Sequence, residues 1–336
     1  MRLVQLPSTT VLVTGGAGYI GSHAVLALLD AGWPVVVIDD LSTGFEWAVP
    51  QGATFVRGDI ADQSLLVRLI ADHGIGAIMH FAGSIIVPES VENPLKYYLN
   101  NTVKSRALIE SAIVGGVRHF IFSSTAATYG IPQIVPVSED APTVPINPYG
   151  WSKLMTERML MDSAHAHPLN FCALRYFNVA GADPKGRTGQ STKGATHLIK
   201  VAVEAAVGKR SHVDVYGTDY DTADGTGIRD YIHVSDLAAA HVLALEQLVA
   251  DPRASHVLNC GYGRGFSVLE VLESVDRVTN VAIERRLMSR RAGDPPALVA
   301  DNGRILATLP WRPARAELDL IVADALAWER SLAERG

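Results

Sequence analysis

Short apolar runs alternate with longer stretches of helical periodicity through the first half of the chain. The apolar runs are rich in β-branched and aromatic residues and have the length of buried strands. They cover residues 11–13, 35–38, 54–56, 77–79, 120–122 and 171–174, and helical patterns between them cover residues 22–31, 63–72 and 94–113. Strands that alternate with helices predict a parallel sheet covered on both faces, which is an α/β, doubly wound fold.

The composition of the chain changes near Gly181, where Gly, Pro, Lys and Thr become frequent and the hydrophobic periodicity weakens. We therefore expect a first domain over residues 1–180 and a smaller α/β domain over residues 181–336. Residues 231–250 return to a strand-then-helix pattern. That segment is expected to rejoin the first domain, so the second domain would be discontinuous.

Composition narrows the range of partners and compartments. Of 336 residues, 48% are hydrophobic and the formal net charge is -6, so a basic surface for nucleic acid or anionic lipid is not expected. Cys172 and Cys260 have neither CxxC spacing nor a disulfide pattern, which fits a reducing cytosol. Residues 1–9 lack the order of a signal peptide, and no apolar run approaches a membrane span of about 18 residues. These features predict a cytoplasmic protein that does not enter membranes.

A glycine-rich turn follows the first strand and predicts an NAD-binding Rossmann fold. Gly16, Gly18 and Gly21 satisfy GxGxxG, and Gly15 begins a GxxGxxG spacing, so a pyrophosphate can approach the N-terminus of the next helix. The second strand ends in Asp39 and Asp40, whose carboxylates suit ribose hydroxyls and repel a 2'-phosphate. The expected contacts in these two segments are Gly15, Gly18, Tyr19, Ile20, Gly21, Asp39 and Asp40.

A second constellation predicts redox chemistry. Asn147 and Pro148 suit the start of a helix, in which Tyr149 and Lys153 stand four apart on one face. A neighbouring ammonium favours the phenolate, so Tyr149 can act as a base near neutrality. Thr125 follows the strand at residues 120–122, at the carboxyl end where ligands bind in such sheets. Its alternative role, and that of Ser123, is a simple polar cap of the strand.

The motifs TGGAGYIGSH, GDI, HFAG, FSSTAATYG, NPYGWSK, LRYFNVAGA, DGTGIRDYIHVSDLA and RRAGDPPALVAD together resemble UDP-glucose 4-epimerases over nearly the whole chain. The resemblance implies that Tyr149 is the catalytic base, that Thr125 is the catalytic hydroxyl residue and that Lys153 anchors the nicotinamide ribose. It adds as cofactor contacts Asp59, Ile60, Phe81, Ala82, Gly83, Asn100, Ser123 and Tyr176. It implies as substrate contacts Thr125, Tyr149, Asn178, Leu198, Tyr216, Arg229, Arg291, Asp294 and Leu298, with the two arginines on the diphosphate.

The sequence departs from the family pattern at two places. Ser84 and Ile85 follow HFAG where some members have a lysine, so one common cofactor contact is not expected. Leu298 stands where some glucose-restricted members have a tyrosine. A smaller side chain there leaves room for an N-acetyl group, which makes UDP-N-acetylglucosamine a second candidate substrate.

The resemblance implies a reaction with no net oxidation, in which UDP-glucose and UDP-galactose interconvert through a 4-keto sugar that rotates and is reduced again. A 4,6-dehydratase would need an acid and a base after Thr125, where Ala126 and Ala127 stand instead. An epimerase of UDP-pentoses or uronic acids, or a non-catalytic NAD-binding regulator, stays open as an alternative. His80, His119 and His233 lack metal-ligand spacing, so no metal is expected.

Family members commonly form homodimers through a four-helix contact. Residues 94–113 and 150–164 are the candidate helices here, and the same pattern is equally typical of core helices.

Overall fold

The computed structural model describes residues 9–291 and 294–335, with the side chains of the last helix described to residue 332. The expectation that no signal peptide precedes the fold concerns residues 1–9, of which all but Thr9 lie outside the described residues. Two compact units divide the chain. The first unit comprises the chain up to residue 124, residues 147–174 and residues 238–257, and the second comprises residues 125–146, residues 175–237 and the chain from residue 258.

The strands are β1 (Thr10–Thr14), β2 (Val35–Asp39), β3 (Thr54–Arg57), β4 (Ile75–His80), β5 (His119–Ser123), β6 (Asn170–Tyr176), β7 (Asn178–Ala180), β8 (Val213–Tyr216), β9 (Ile228–His233), β10 (His256–Cys260), β11 (Gly265–Ser267), β12 (Arg285–Met288) and β13 (Ala297–Leu298). The α-helices are α1 (Tyr19–Asp30), α2 (Gln63–His73), α3 (Val87–Glu92), α4 (Pro94–Tyr97), α5 (Lys104–Val114), α6 (Pro148–Ala166), α7 (Leu198–Ala206), α8 (Val234–Ala250), α9 (Val268–Thr279), α10 (Gly303–Thr308) and α11 (Leu318–Arg335). The six strands predicted in the first half of the chain are present as β1 to β6, and the helices predicted at residues 22–31 and 63–72 are present as α1 and α2.

A seven-stranded parallel sheet forms the framework of the first unit, in the order β10-β6-β5-β4-β1-β2-β3. Its central strands carry apolar side chains on both faces: Leu12, Ile78 and Phe120 on one face and Val13, Met79 and Ile121 on the other have no exposed surface. Helices on both faces bury these side chains, as a parallel sheet requires. The predicted α/β, doubly wound fold is therefore confirmed.

The helical pattern at residues 94–113 is interrupted by a π-helical segment, Tyr98–Val103, between α4 and α5. Sequence periodicity predicted one continuous helix there, because a single wide turn hardly alters the apolar spacing. The side chain of Asn101, buried in this segment, accepts a hydrogen bond from Ser84 N at 2.7 Å and donates one to Ser152 Oγ at 3.0 Å. Such wide turns occur frequently at functional sites.

The second unit is built around β9. This strand pairs in parallel with β7 and β13 and antiparallel with β11, while β8 and β12 form a separate two-stranded parallel sheet. Helices α7, α9 and α11 supply the apolar side chains of its core, which include Val203, Val271 and Ile321. The carboxylate of Glu270 and the hydroxyl of Ser267 cap each other's backbone at the start of α9.

The chain first leaves the first unit after residue 124 and returns to it at residues 147–174 and 238–257. The sequence analysis expected the boundary at residue 180 and the return near residues 231–250. Residues 125–146 contain turns and exposed apolar side chains with no regular period. Because such a segment has no periodicity, its place in the second unit could not be predicted from the sequence.

No helix within the described residues is long and apolar enough to cross a membrane. Within the same residues, no group of three or more His, Cys, Asp or Glu side chains is arranged to hold a metal ion.

Candidate active site

The turn between β1 and α1 packs so closely that Gly15 and Gly21 have no room for side chains. Gly15 has a φ of 71°, and a Cβ on it would lie 2.6 Å from Ala82 N. A Cβ on Gly21 would lie 2.1 Å from Gly15 O. Gly18, the N-cap residue of α1, offers no side chain to the first N–H groups of the helix. These N–H groups and the helix dipole suit a phosphate that approaches the backbone closely.

Two carboxylates stand at the end of β2, where the sequence places them. Asp39 is buried and accepts hydrogen bonds from Ala17 N at 3.0 Å and Leu41 N at 2.8 Å. Burial raises the pKa of Asp39 despite these two bonds. Asp40 is exposed and accepts from Ser42 N at 2.8 Å. Asp39 thus also holds the glycine-rich turn in shape.

Further proposed cofactor contacts follow β3 and β4. β3 ends at Arg57, so Asp59 and Ile60 belong to the loop that follows it. Asp59 pairs with Lys104 Nζ at 2.6 Å, and Ile60 packs in the core. After β4, Phe81 N donates to Thr14 O at 3.0 Å.

The segment after Phe81 approaches the π-helical segment and α6. A Cβ on Gly83 would lie 2.8 Å from Asn101 Oδ1 and 3.9 Å from Lys153 Nζ. Asn100 Nδ2 donates to Ser84 Oγ at 3.0 Å. Ser84, which stands where some family members carry a lysine, thus holds a proposed cofactor contact in place through its hydroxyl group.

Lys153 is a buried cation at the centre of the first unit. Its side chain is on α6, whose start is capped by Asn147 as predicted, with Asn147 Oδ1 accepting from Gly150 N at 2.9 Å. Lys153 is 3% exposed and Nζ donates to Ser123 O at 2.9 Å. Nζ also lies 5.0 Å from the centre of the Phe122 ring. Burial lowers the pKa of Lys153 to about 8, and the carboxylate of Glu157 opposes this shift.

Tyr149 lies one helical turn before Lys153 and is 8% exposed. Its ring meets the ring of Tyr97 edge to face, with 6.5 Å between ring centres. Tyr97 is itself held by hydrogen bonds from its hydroxyl group to Ile86 O at 2.6 Å and Glu89 Oε2 at 2.8 Å. The phenol of Tyr149 is therefore placed by packing on the same helix face as the ammonium of Lys153.

Two buried groups near Lys153 were not among the predicted site residues. Glu157 has no exposed surface and accepts a hydrogen bond from the hydroxyl group of Ser124. His80 contacts Thr14 Oγ1 and Ser105 Oγ, both at 2.7 Å. Burial, together with the charge of Lys153, lowers the pKa of His80 to about 3, so its ring is neutral. An acidic residue four positions after Lys153 was the available signal for Glu157, whereas His80 resembled any strand histidine.

Thr125 begins the second unit and adopts an extended backbone conformation. Its Oγ1 accepts a hydrogen bond from Ala127 N at 3.1 Å and so caps a short 3₁₀ helix, Ala126–Tyr129. The alternative expected for Thr125 was a polar cap of the strand, whereas its side chain caps the 3₁₀ helix that follows. A hydroxyl group also keeps a proton to donate, so capping leaves Thr125 able to bond a substrate.

In the second unit, the proposed nucleotide contacts converge on β8, β9 and the segment before β13. The Arg291 guanidinium stacks on the Tyr216 ring at 3.8 Å from its centre. Arg229 Nη2 lies 3.8 Å from Asp294 Oδ1, and Leu298 pairs with Arg229 in the register of β13 and β9. Guanidinium groups in this setting suit phosphate oxygens.

The remaining proposed contacts lie elsewhere in the second unit. Asn178 opens β7, where it pairs with Tyr231 of β9, and Leu198 is the first residue of α7. Tyr176 ends β6 and is half-buried.

Comparisons with known proteins agree on one family. Residues 11–261 match the model of the NAD dependent epimerase/dehydratase family. A UDP-glucose 4-epimerase of Azospirillum brasilense is 58% identical over 97% of this chain and 93% of its own length. The structure of UDP-glucose 4-epimerase from Brucella ovis in complex with NAD is 45% identical, has a TM-score of 0.92 and matches over 95% of this chain and 98% of that one. That of the UDP-Glc/GlcNAc 4-epimerase from Campylobacter jejuni is 47% identical, has a TM-score of 0.84 and matches over 96% of this chain and 100% of that one.

Proposed function

The chain belongs to the NAD-dependent epimerase/dehydratase family, and from that premise we propose that it interconverts UDP-glucose and UDP-galactose as an NAD-dependent UDP-glucose 4-epimerase. The observation that carries the proposal is the buried ammonium of Lys153, bonded to Ser123 O one helical turn from Tyr149. A cation so placed favours the phenolate and makes Tyr149 a base near neutral pH.

The residues present fit NAD. The Gly15–Gly21 turn admits a pyrophosphate because its glycines carry no side chains that would keep a ligand from the backbone. Asp39 and Asp40 at the end of β2 suit the two ribose hydroxyls of NAD and oppose the extra phosphate of NADP. Lys153 would hold the hydroxyls of the nicotinamide ribose. When bound, NAD supplies the acceptor for the hydride of C4 and afterwards returns it.

The side chains of this protein then move one proton and hold one nucleotide. Tyr149 removes the proton of the 4-hydroxyl group as C4 is oxidised, with Thr125 bonding the same oxygen. Lys153 stabilises the phenolate while Tyr149 acts as base. After the 4-keto sugar has rotated, Tyr149 gives the proton back. Arg229 and Arg291 bind the diphosphate throughout, so the hexose alone changes orientation.

The other proposed contacts divide between uridine and sugar. Leu198 and Tyr216 enclose the uracil ring, Asp294 bonds the uridine ribose, and Asn178 faces the diphosphate-sugar. The stack of Arg291 on Tyr216 supports this arrangement because it fixes both side chains beside each other.

The test is proton NMR of the purified protein with UDP-galactose and no added NAD, following the anomeric signals. We expect signals of UDP-glucose to appear, because the cofactor is regenerated in each turnover and stays bound. The absence of conversion, even after NAD is supplied, would contradict the proposal and favour another UDP-sugar or a non-catalytic NAD-binding regulator.

We also propose that the enzyme accepts N-acetylated sugars. Leu298 is half-buried next to Arg229 in the sheet register, and a leucine there occupies less room than a tyrosine. Leu298→Tyr should reduce kcat/KM for UDP-N-acetylglucosamine at least about 10-fold relative to UDP-glucose, on the scale of a lost hydrophobic fit. Leu298→Met keeps the size of the side chain and should leave the ratio unchanged. Full activity of Leu298→Tyr on the acetylated sugar would contradict this proposal.

A homodimer is proposed from an apolar stripe on the first unit. Leu95, Leu99 and Val103 recur every fourth residue across α4 and the π-helical segment and are 77%, 52% and 53% exposed. Trp151 and Met155 on α6, which packs against that segment, are 39% and 40% exposed. Two helices with adjoining exposed apolar side chains form half of a four-helix contact.

Light scattering after size exclusion tests the dimer. Leu95→Glu combined with Leu99→Glu should shift the mass from twice 36.0 kDa to 36.0 kDa. Val249→Glu, on an exposed face of α8 outside the stripe, should leave the mass unchanged. A monomeric parent protein would contradict the proposal of a dimer.

A cytosolic location is proposed because Cys172 and Cys260 are both buried thiols. Recovery of the protein in the periplasmic fraction of a bacterial cell would contradict this location.

A further inference from the structure

Tyr220 lies in the loop that follows β8 and is enclosed by residues of the second unit. Its side chain is 7% exposed. One edge of the ring packs on Gly217, where a Cβ would come within 2.5 Å of Tyr220 Cε2. The Arg290 guanidinium stacks on the ring at 4.3 Å from its centre, and Arg290 Nε donates to Asp219 Oδ1 at 2.6 Å. The ring is therefore clamped between a glycine and an anchored arginine.

The loop itself is held by its own hydrogen bonds. Tyr220 N donates to Gly225 O at 2.9 Å, and Thr222 Oγ1 donates to Thr226 O at 2.8 Å. Asp224 accepts from Thr226 N at 2.8 Å and from the hydroxyl group of Ser267, the N-cap residue of α9. Because the loop is fixed at both ends, the position of the Tyr220 side chain is set before any ligand arrives.

The hydroxyl group of Tyr220 is buried and has no hydrogen-bond partner in residues 9–291 and 294–335. An unsatisfied buried hydroxyl group is costly, so native structures keep such a group where a ligand, an ion or a water completes it. The charged side chains that act on the phenol are those of Asp294, Arg229, Arg290 and Asp219. Arg229 and Asp294 are the residues proposed above to bind the nucleotide.

The chemistry of these neighbours defines the missing partner. Arginine side chains carry donors only, so they cannot accept a hydrogen bond from the phenol, and neither Asp219 nor Asp294 accepts one from it in the described residues. Burial raises the pKa of Tyr220, and its hydroxyl group therefore stays protonated and remains a donor. A donor beside two guanidinium groups suits an anionic oxygen that the same guanidinium groups attract.

We infer that Tyr220 is a further nucleotide-binding residue, whose hydroxyl group donates a hydrogen bond to a phosphate oxygen of the UDP-sugar. The inference rests on the proposed function, since it takes UDP as the ligand of Arg229 and Asp294. Tyr220 acts in binding and not in the chemistry of C4, because the diphosphate keeps its place while the hexose rotates.

Tyr220→Phe removes the hydroxyl group and keeps the ring on which Arg290 stacks. Calorimetric titration with UDP should show affinity reduced by about 10-fold or more, the effect of one hydrogen bond to a charged group. The KM for UDP-galactose should rise by a similar factor while kcat stays within about 2-fold, because bound substrate and transition state lose the same interaction. The Tm without ligand should not fall, because the lost hydroxyl group has no partner in the free protein.

Tyr129→Phe is the matched control in the same unit. Tyr129 also lies beneath an arginine, Arg175, at 4.9 Å, but its hydroxyl group donates to Asn259 Oδ1 at 2.7 Å and accepts from Arg175 Nη1 at 3.0 Å. Removing a satisfied hydroxyl group should lower the Tm and leave the affinity for UDP unchanged. The two variants are thus expected to show opposite signatures.

The outcomes separate this inference from the proposed function. Unchanged UDP affinity in Tyr220→Phe, with UDP bound tightly by the parent protein, would overturn the inference and leave the function intact. Failure of the parent protein to bind UDP would overturn both. Uridine, measured by displacement of UDP, should bind both proteins equally; a loss as large for uridine as for UDP would overturn the assignment to phosphate.

Discussion

In the first unit the cation proposed to act in catalysis is Lys153, which is 3% exposed, bonded to the Ser123 carbonyl group and balanced by the buried carboxylate of Glu157. In the second unit the cations proposed to bind the diphosphate are arginines that reach partly into solvent. The Arg291 guanidinium stacks on the Tyr216 ring. Arg229 Nη2 lies 3.8 Å from Asp294 Oδ1, which is a loose ion pair, and the Asp294 side chain is 44% exposed.

The difference follows from what each cation is proposed to do. Lys153 must change the proton affinity of a neighbour, and charge interactions are strongest where water is excluded. The arginines must exchange water for phosphate oxygens, and a guanidinium group that is already tightly paired inside the protein would have to break that pair first. We therefore expect substitutions in the first unit to change kcat and its pH dependence, and those in the second to change binding.

The largest effect is expected for Tyr149→Phe. Loss of the proton-accepting group should lower kcat by about 10²–10⁴-fold, the usual contribution of a general base. The Kd for UDP should be unchanged, because the residues proposed to bind UDP belong to the second unit. NMR assays of the reaction rate measure kcat, and calorimetric titration with UDP measures the Kd. Tyr98→Phe, which removes another phenol of the first unit, serves as control and should keep kcat. A large loss of UDP affinity in Tyr149→Phe would contradict the expectation that substitutions in the first unit change kcat and not binding.

A smaller effect is expected for Arg229→Gln. Removing one charged donor to the diphosphate should raise the KM for UDP-galactose by about 10- to 100-fold, the range of a hydrogen bond between charged groups. The expected change in kcat is much smaller. Arg286→Gln removes an arginine of the same unit that pairs with Glu284 at 3.1 Å on the surface, and should leave KM unchanged. If kcat fell as strongly as KM rose, Arg229 would act on the reacting centre as well.

The smallest effect is a change of pH dependence. The ammonium of Lys153 is present below its pKa of about 8 and is lost as pH rises through that value, so kcat/KM should fall on this alkaline limb. The other titratable groups that face it are Tyr149, the neutral ring of His80 and Glu157. Glu157→Gln keeps the acceptor for Ser124 but removes the charge that raises the pKa of Lys153, so the alkaline limb should move to lower pH.

Measurement of kcat/KM at a series of pH values between about 6 and 10 detects this shift. Glu110→Gln, on the exposed face of α5 beside Arg106 at 3.1 Å, is the control and should leave the profile in place. An alkaline limb at the same pH in Glu157→Gln and in the parent protein would show that the Glu157 charge does not govern Lys153.

Local sequence determined much of this protein. The glycines after β1 and the Asn147-Pro148 start of α6 predicted their conformations, because steric limits and helix capping act within a few residues. Alternating apolar runs likewise predicted the parallel sheet, since strands buried on both faces need continuous apolar residues. The Tyr149 and Lys153 pair followed from helix geometry alone.

Tertiary structure decided what depends on residues far apart in the chain. It interrupted the helix at residues 98–103, where Asn101 bonds Ser152 across 51 positions. It brought Arg290 onto the ring of Tyr220, and left the hydroxyl group of that tyrosine buried without a partner in the described residues. A sequence pattern records which residues are apolar or charged, but whether a polar atom is satisfied depends on which distant groups the fold brings within hydrogen-bond distance of it.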